Sequence, residues 1–250
     1  DMHTTVQNDT SVVLGAGNDT LYTGAKLGSF TKGVDGGEGT DIISITDGSK
    51  LDATTSKYIT NFETLDVSGG TGSYDVSLNS FATVQIDEAI AGALTGDVDF
   101  KNAADTFTLT IASKVKDTDF DVVKNITVTG KDYTGTTAKG TAETFTLVAN
   151  LNDGDKDNTA EGNINAQTVT VAGVENVVIN ANVTTLDGGT DALKASKSTL
   201  TAKIVATEAE VLTIKGDASV DLSSVTTIGA VNKIDASAST GNVTVKMSTQ

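Results

Sequence analysis

Apolar and polar residues alternate along most of the chain in short runs, each closed by Gly, Asn or Asp. Thr64-Leu65-Asp66-Val67, Tyr74-Asp75-Val76-Ser77-Leu78, Thr83-Val84-Gln85-Ile86 and Thr106-Phe107-Thr108-Leu109-Thr110-Ile111 set the pattern. It continues through Asn125-Ile126-Thr127-Val128, Thr144-Phe145-Thr146-Leu147-Val148, Gln167-Thr168-Val169-Thr170-Val171 and Asn176-Val177-Val178-Ile179. Val211-Leu212-Thr213-Ile214 and Asn242-Val243-Thr244-Val245 close the series. A period of two puts alternate side chains on one face, so each run predicts a strand with one side buried. Helical periodicity is confined to short stretches around 49–57 and 192–198.

The strands belong to imperfect repeats. One unit is an apolar residue, a polar pair and then a strand: Phe62-Glu63-Thr64-Leu65, Phe81-Ala82-Thr83-Val84, Val123-Lys124-Asn125-Ile126, Val174-Glu175-Asn176-Val177 and Val231-Asn232-Lys233-Ile234. A second occurs twice, as Ala104-Asp105-Thr106-Phe107-Thr108-Leu109 and Ala142-Glu143-Thr144-Phe145-Thr146-Leu147, its copies starting 38 residues apart. A short unit of this kind cannot bury its apolar side alone and must stack on a neighbour. The expected fold is therefore all-β, an irregular parallel β-solenoid or β-helix. Tandem β-sandwich domains, whose strands also recur at short intervals, remain the alternative.

Composition narrows the class further. The 250 residues include 42 Thr and 25 Gly but no Pro, Cys or Trp, and aromatic residues make up 4%. Thin layers of Val, Ile, Leu, Ala and Thr suit that inventory better than a bulky globular core. Without cysteine there are no disulfides and no zinc–thiolate sites. Seventeen basic residues face 33 acidic ones, a formal net charge of -16. Such a surface repels phosphate backbones, so nucleic acid is not an expected partner. It also supplies hard oxygen ligands of the kind calcium takes. No apolar run is long enough for a membrane-spanning helix, so the chain is not expected to be transmembrane. The start of the chain carries neither the basic nor the apolar region of a signal peptide, and it reads as a mature product or a piece of a longer protein.

Candidate chemistry concentrates in glycine- and aspartate-rich turns. Gly15-Ala16-Gly17-Asn18-Asp19-Thr20-Leu21 and Gly36-Gly37-Glu38-Gly39-Thr40-Asp41-Ile42-Ile43 lie 22 residues apart, and the second fits the G-G-x-G-x-D-x-U calcium repeat. In that repeat the glycines permit a turn with inward carbonyls, and the Asp offers a carboxylate to an ion shared between coils. The expected ligands are Asp19 and Asp41, with Gly17 and Gly39 shaping the turns; Asp9, Asp35 or Asp47 could complete the shell. A weaker copy spans Leu186-Asp187-Gly188-Gly189-Thr190-Asp191, with Asp187 and Asp191 as candidates. Asp153, Asp155 and Asp157 match the opening ligand positions of a calcium loop, but Asn158 replaces its glycine and Ile164 its bidentate glutamate, so this is not an EF-hand. The plain alternative at each place is a solvated acidic turn. Residues 1–58 form the glycine- and aspartate-rich segment and 59–250 the β-repeat region, which could subdivide near 150–165.

Catalysis has little material. His3 is the single histidine, which leaves no histidine cluster and argues against a His-based triad. No phosphate-binding loop with its Lys-Ser/Thr ending is present. The chain is not expected to be an enzyme.

The turn at 36–41, followed by Ile59-Thr60-Asn61-Phe62-Glu63-Thr64-Leu65-Asp66-Val67, resembles the organisation of bacterial surface-layer (S-layer) proteins of the repeats-in-toxin type. Gly173-Val174-Glu175-Asn176-Val177-Val178-Ile179 is similar to the same strand entry. The resemblance implies a protein exported without an N-terminal signal, folded outside the cell by calcium and assembled into a two-dimensional lattice held to lipopolysaccharide. Asp19 and Asp41 match the family's calcium-liganding aspartates, and Asp191 matches approximately. A calcium-dependent adhesin or biofilm-matrix module is the alternative role.

Overall fold

The computed structural model describes residues 2–3, 11–23, 32–79, 81, 83–115, 118–133, 143–152, 162–184, 198–229 and 231–248. The chain is a parallel β-solenoid. One sheet contains, in spatial order, β1 (Met2–His3), β3 (Thr20–Tyr22), β5 (Ile42–Ser44), β7 (Thr64–Asp66), β9 (Thr83–Asp87), β11 (Thr106–Ala112), β14 (Thr144–Asn152), β16 (Asn176–Thr184), β18 (Val211–Gly216) and β20 (Lys233–Ser239). A second runs β8 (Gly72–Asp75), β10 (Val98–Ala103), β13 (Ile126–Gly130), β15 (Ile164–Ala172), β17 (Thr199–Ala206), β19 (Ser219–Ile228) and β21 (Val243–Met247), with β12 (Phe120–Asp121) also on β15. A small third sheet joins β2 (Val12–Val13), β4 (Val34–Asp35) and β6 (Ile59–Thr60). Apart from β12 and β13, successive strands pass from one sheet to another, so the chain winds, and strands pair in parallel with their counterparts one coil on. The first sheet crosses position 58 without a break, because β5 pairs with β7.

The period-two pattern explains which side of each strand is buried. In β14 buried and half-buried residues alternate from Thr144 to Leu151, with Phe145, Leu147, Ala149 and Leu151 inward. Registered partners stack those inward residues into a column of Leu21, Ile43, Leu65, Val84, Leu109, Leu147, Ile179 and Ile214, all fully buried. Four of the aromatics pack in series across the two sheets. Ring centroids lie 5.8 Å apart for Tyr74–Phe100, 5.9 Å for Phe100–Phe107 and 6.5 Å for Phe107–Phe145. These separations fall in the favourable range for offset or tilted rings. The Tyr74 hydroxyl donates to the Ile45 carbonyl at 3.0 Å, so its one polar atom is satisfied inside the core.

Two sequence readings change. The stretch around 49–57 holds two 3-10 turns, Gly48–Lys50 and Ser56–Tyr58, and the described residues contain no α-helix. The five apolar-polar-polar-strand units are not all equivalent. Those beginning at Phe62, Phe81, Val174 and Val231 lead into the ten-stranded sheet, whereas the one at Val123 leads into β13 of the other sheet. Val123 itself has φ 72° and is 53% exposed, so it cannot act as the buried anchor that Phe62 and Val174 provide.

Candidate functional site

The glycine turns of the N-terminal part stack directly on one another. Gly15 and Gly37 both have φ 100°, while Gly17 and Gly39 have φ 132° and 144°, conformations that residues with a Cβ rarely adopt. Contact between coils adds a second demand for glycine. A Cβ on Gly37 would lie 1.8 Å from the Gly15 carbonyl oxygen, and one on Gly39 would lie 1.9 Å from that of Gly17. The turns are joined by Glu38 N–H donating to Gly15 O and Gly17 N–H donating to Glu38 O, each at 2.8 Å. Thr40 N–H donates to the Asn18 side-chain oxygen at 3.0 Å. The 22-residue offset seen in the sequence is therefore one coil.

The aspartates at the ends of these turns form an ordered row. Asp19 N–H donates to Asp41 Oδ1 at 2.7 Å, and Asp41 N–H donates to Glu63 Oε2 at the same distance. Each coil thus lends its backbone amide to the carboxylate of the next, at the corner where the chain enters the ten-stranded sheet. Asp41 is fully buried, and its Oδ2 has no hydrogen-bond partner. A Cβ on Gly36 would meet the Asn61 carbonyl oxygen at 1.9 Å and Asp41 Oδ2 at 2.9 Å. Only a glycine leaves room there, and two oxygens converge beside it. An ionised carboxylate oxygen held away from water without a donor is costly unless a proton or a cation compensates it.

Asp35 has a different place. Its Oδ1 accepts from Gly37 N–H at 3.1 Å and from Asn61 Nδ2 at 2.7 Å, which makes it the clasp of the second turn. Asp47 likewise closes a local turn, accepting from Ser49 N–H at 3.0 Å and Ser49 Oγ at 2.7 Å. Asp19, Asp35 and Asp41 do not gather into a three-carboxylate cluster among the described residues. Asp9, Asp153, Asp155, Asp157, Asp187 and Asp191 lie outside the described residues.

The same corner carries acidic residues that lie outside the glycine- and aspartate-rich motifs. Glu63, Asp105, Glu143, Glu175 and Glu210 each stand immediately before a strand of the ten-stranded sheet, on coils whose strands are in register. The signal was present in the repeats themselves, because the copies at 104–109 and 142–147 each place an acid just before Thr-Phe-Thr-Leu. No protein-family model matches the chain, and no curated protein matches it either.

Proposed function

We propose that the chain is a structural, noncatalytic segment of a bacterial cell-surface lattice, an S-layer, whose fold and assembly depend on calcium. The observation that carries the calcium part is Asp41. Its carboxylate is fully buried, with one oxygen held by the Asp19 amide and the other without a partner beside the Asn61 carbonyl. Hard oxygen atoms in a strongly acidic chain suit calcium better than a soft metal. Asp19, through its amide, and Gly17 and Gly39, through the stacked turns, fix the position of that carboxylate.

The lattice part rests on architecture, charge and the surface-layer resemblance of the 36–67 region. A parallel solenoid presents long sheet faces suited to side-by-side contact, while a net charge of -16 keeps copies apart until cations neutralise it. Secretion to the cell surface and contact with lipopolysaccharide belong to the same reading; no residue is assigned to either. No helix among the described residues is long and apolar enough to cross a membrane.

Titrating calcium into the chelated protein, with particle size followed by light scattering and strand content by circular dichroism, tests this function. Large ordered particles appearing with calcium are the expected result. A protein that responds to calcium yet stays monomeric contradicts the lattice and favours an adhesin or matrix module. Asp41→Asn is expected to move the calcium midpoint upward at least tenfold, and an unchanged midpoint would remove the ion from this turn.

A further inference from the structure

The acidic row at the corner of the solenoid draws together most tightly in mid-chain. Asp105 precedes β11, Glu143 precedes β14 and Glu175 precedes β16, and the registered pairs Thr106–Thr144 and Thr144–Asn176 place the three acids on consecutive coils. Asp132 joins them from the turn after β13, a turn fixed by Lys131 N–H donating to Ala103 O at 2.9 Å and Tyr133 N–H donating to Gly130 O at 3.1 Å. Asp105, Asp132 and Glu143 each offer one carboxylate oxygen, and these atoms all lie within 4.8 Å of one another.

Glu143 separates this place from ordinary surface acidity. Its residue is 6% exposed, and its Oε2 has no hydrogen-bond partner. The Glu175 carboxylate beside it takes the Glu143 N–H at 2.9 Å. Among the described residues one cation faces the group: Lys131 Nζ lies 3.0 Å from each Asp105 oxygen. Among the described residues this is one ammonium against four carboxylates, and the Lys131 side chain is 46% exposed, so it can turn out to solvent.

We propose that Asp105, Asp132 and Glu143 bind one divalent cation of calcium's size, with Glu175 as the positioning carboxylate behind Glu143. Calcium takes oxygen ligands at about 2.3–2.6 Å, so two ligands on opposite sides of one ion stand at most about 5 Å apart. The 4.8 Å limit of this cluster lies inside that span. Magnesium, at about 2.0–2.1 Å, requires the oxygens to close to roughly 4 Å and keeps more of its own water. A bound ion would tie three stretches of chain, around 105, 132 and 143, to one corner. This site is independent of the turn at Asp41.

The test uses the full chain, stripped with chelator and titrated with calcium in a calorimeter, and with terbium under tyrosine excitation because Tyr133 adjoins Asp132. Asp132 is exposed, so Asp132→Asn leaves the core untouched; Glu143→Gln is the second variant. Each is expected to lose one bound calcium, or to weaken that site at least tenfold, with strand content unchanged. Tyr133→Phe is expected to lose the terbium emission that Asp132→Asn also loses. Wild-type stoichiometry and affinity in both Asp132→Asn and Glu143→Gln would overturn the proposal, as would a wild-type chain that binds no calcium. Asp41→Asn separates the two sites, since loss of its effect with this site retained overturns the N-terminal reading alone.

Discussion

Single residues in this solenoid are costly where a charge is taken inside. Asp66 is fully buried; its Oδ1 accepts from Ser68 Oγ at 2.7 Å and from Gln85 Nε2 at 3.4 Å, and its Oδ2 has no partner. Burial pushes its carboxyl from 3.8 up to about 6, against the opposing pull of the polar groups of Ser68, Ser44 and Gln85. The folded state therefore prefers the proton that the unfolded chain releases near pH 4. Its contribution is fully present below the unfolded value and is lost as pH rises to about 6, a loss of roughly 3 kcal/mol. Asp66→Asn, which mimics the protonated form, is expected to raise Tm by several degrees at pH 7.5 in chelator and to leave it unchanged at pH 3.5. Equal shifts at the two pH values would refute the account. Nothing in Thr64-Leu65-Asp66-Val67 reveals this, because alternation assigns Asp66 to the outward side, and its burial comes from packing over that side.

At the scale of the element, the strands were legible and their partners were not. Alternation identified β11 and β14 because sterics fix the two faces of a strand residue by residue. The 38-residue offset of the repeat equals the step between their registered partners, Thr106 with Thr144. Coil length was hidden, since the step between registered partners changes from 22 residues at Leu21–Ile43 to 19 at Leu65–Val84 and 38 at Leu109–Leu147. Loops inserted between strands leave no trace in a period-two pattern. The acidic row was missed for a related reason: its members are local neighbours only after the coils stack. The core column makes a direct prediction. Leu147 is fully buried between Leu109 and Ile179, so Leu147→Ala is expected to cost about 2–5 kcal/mol in urea unfolding. Thr146→Ala, on the half-buried outward side, is expected to change stability by less than about 1 kcal/mol. Similar losses for the two would mean that the inward and outward sides of β14 are misassigned.

For the whole molecule, stacking turns a diffuse acidic composition into an ordered line of carboxylates along one corner. Hydrogen bonds from backbone amides hold members of that line in place, as at Asp41 and Glu175, while burial strips water from Asp41 and Glu143. The parallel sheets and the column of Val, Ile and Leu hold the coils at a fixed spacing, so the acids cannot move apart to relieve their repulsion. Cations that bind the folded corner and not the unfolded chain would stabilise the fold by mass action. The most direct test is thermal unfolding of wild type and Asp41→Asn in chelator and across a calcium series at constant ionic strength. The account predicts a wild-type Tm that climbs steadily with the logarithm of calcium concentration and a shallower climb for the variant. A wild-type Tm identical in chelator and in millimolar calcium would contradict it.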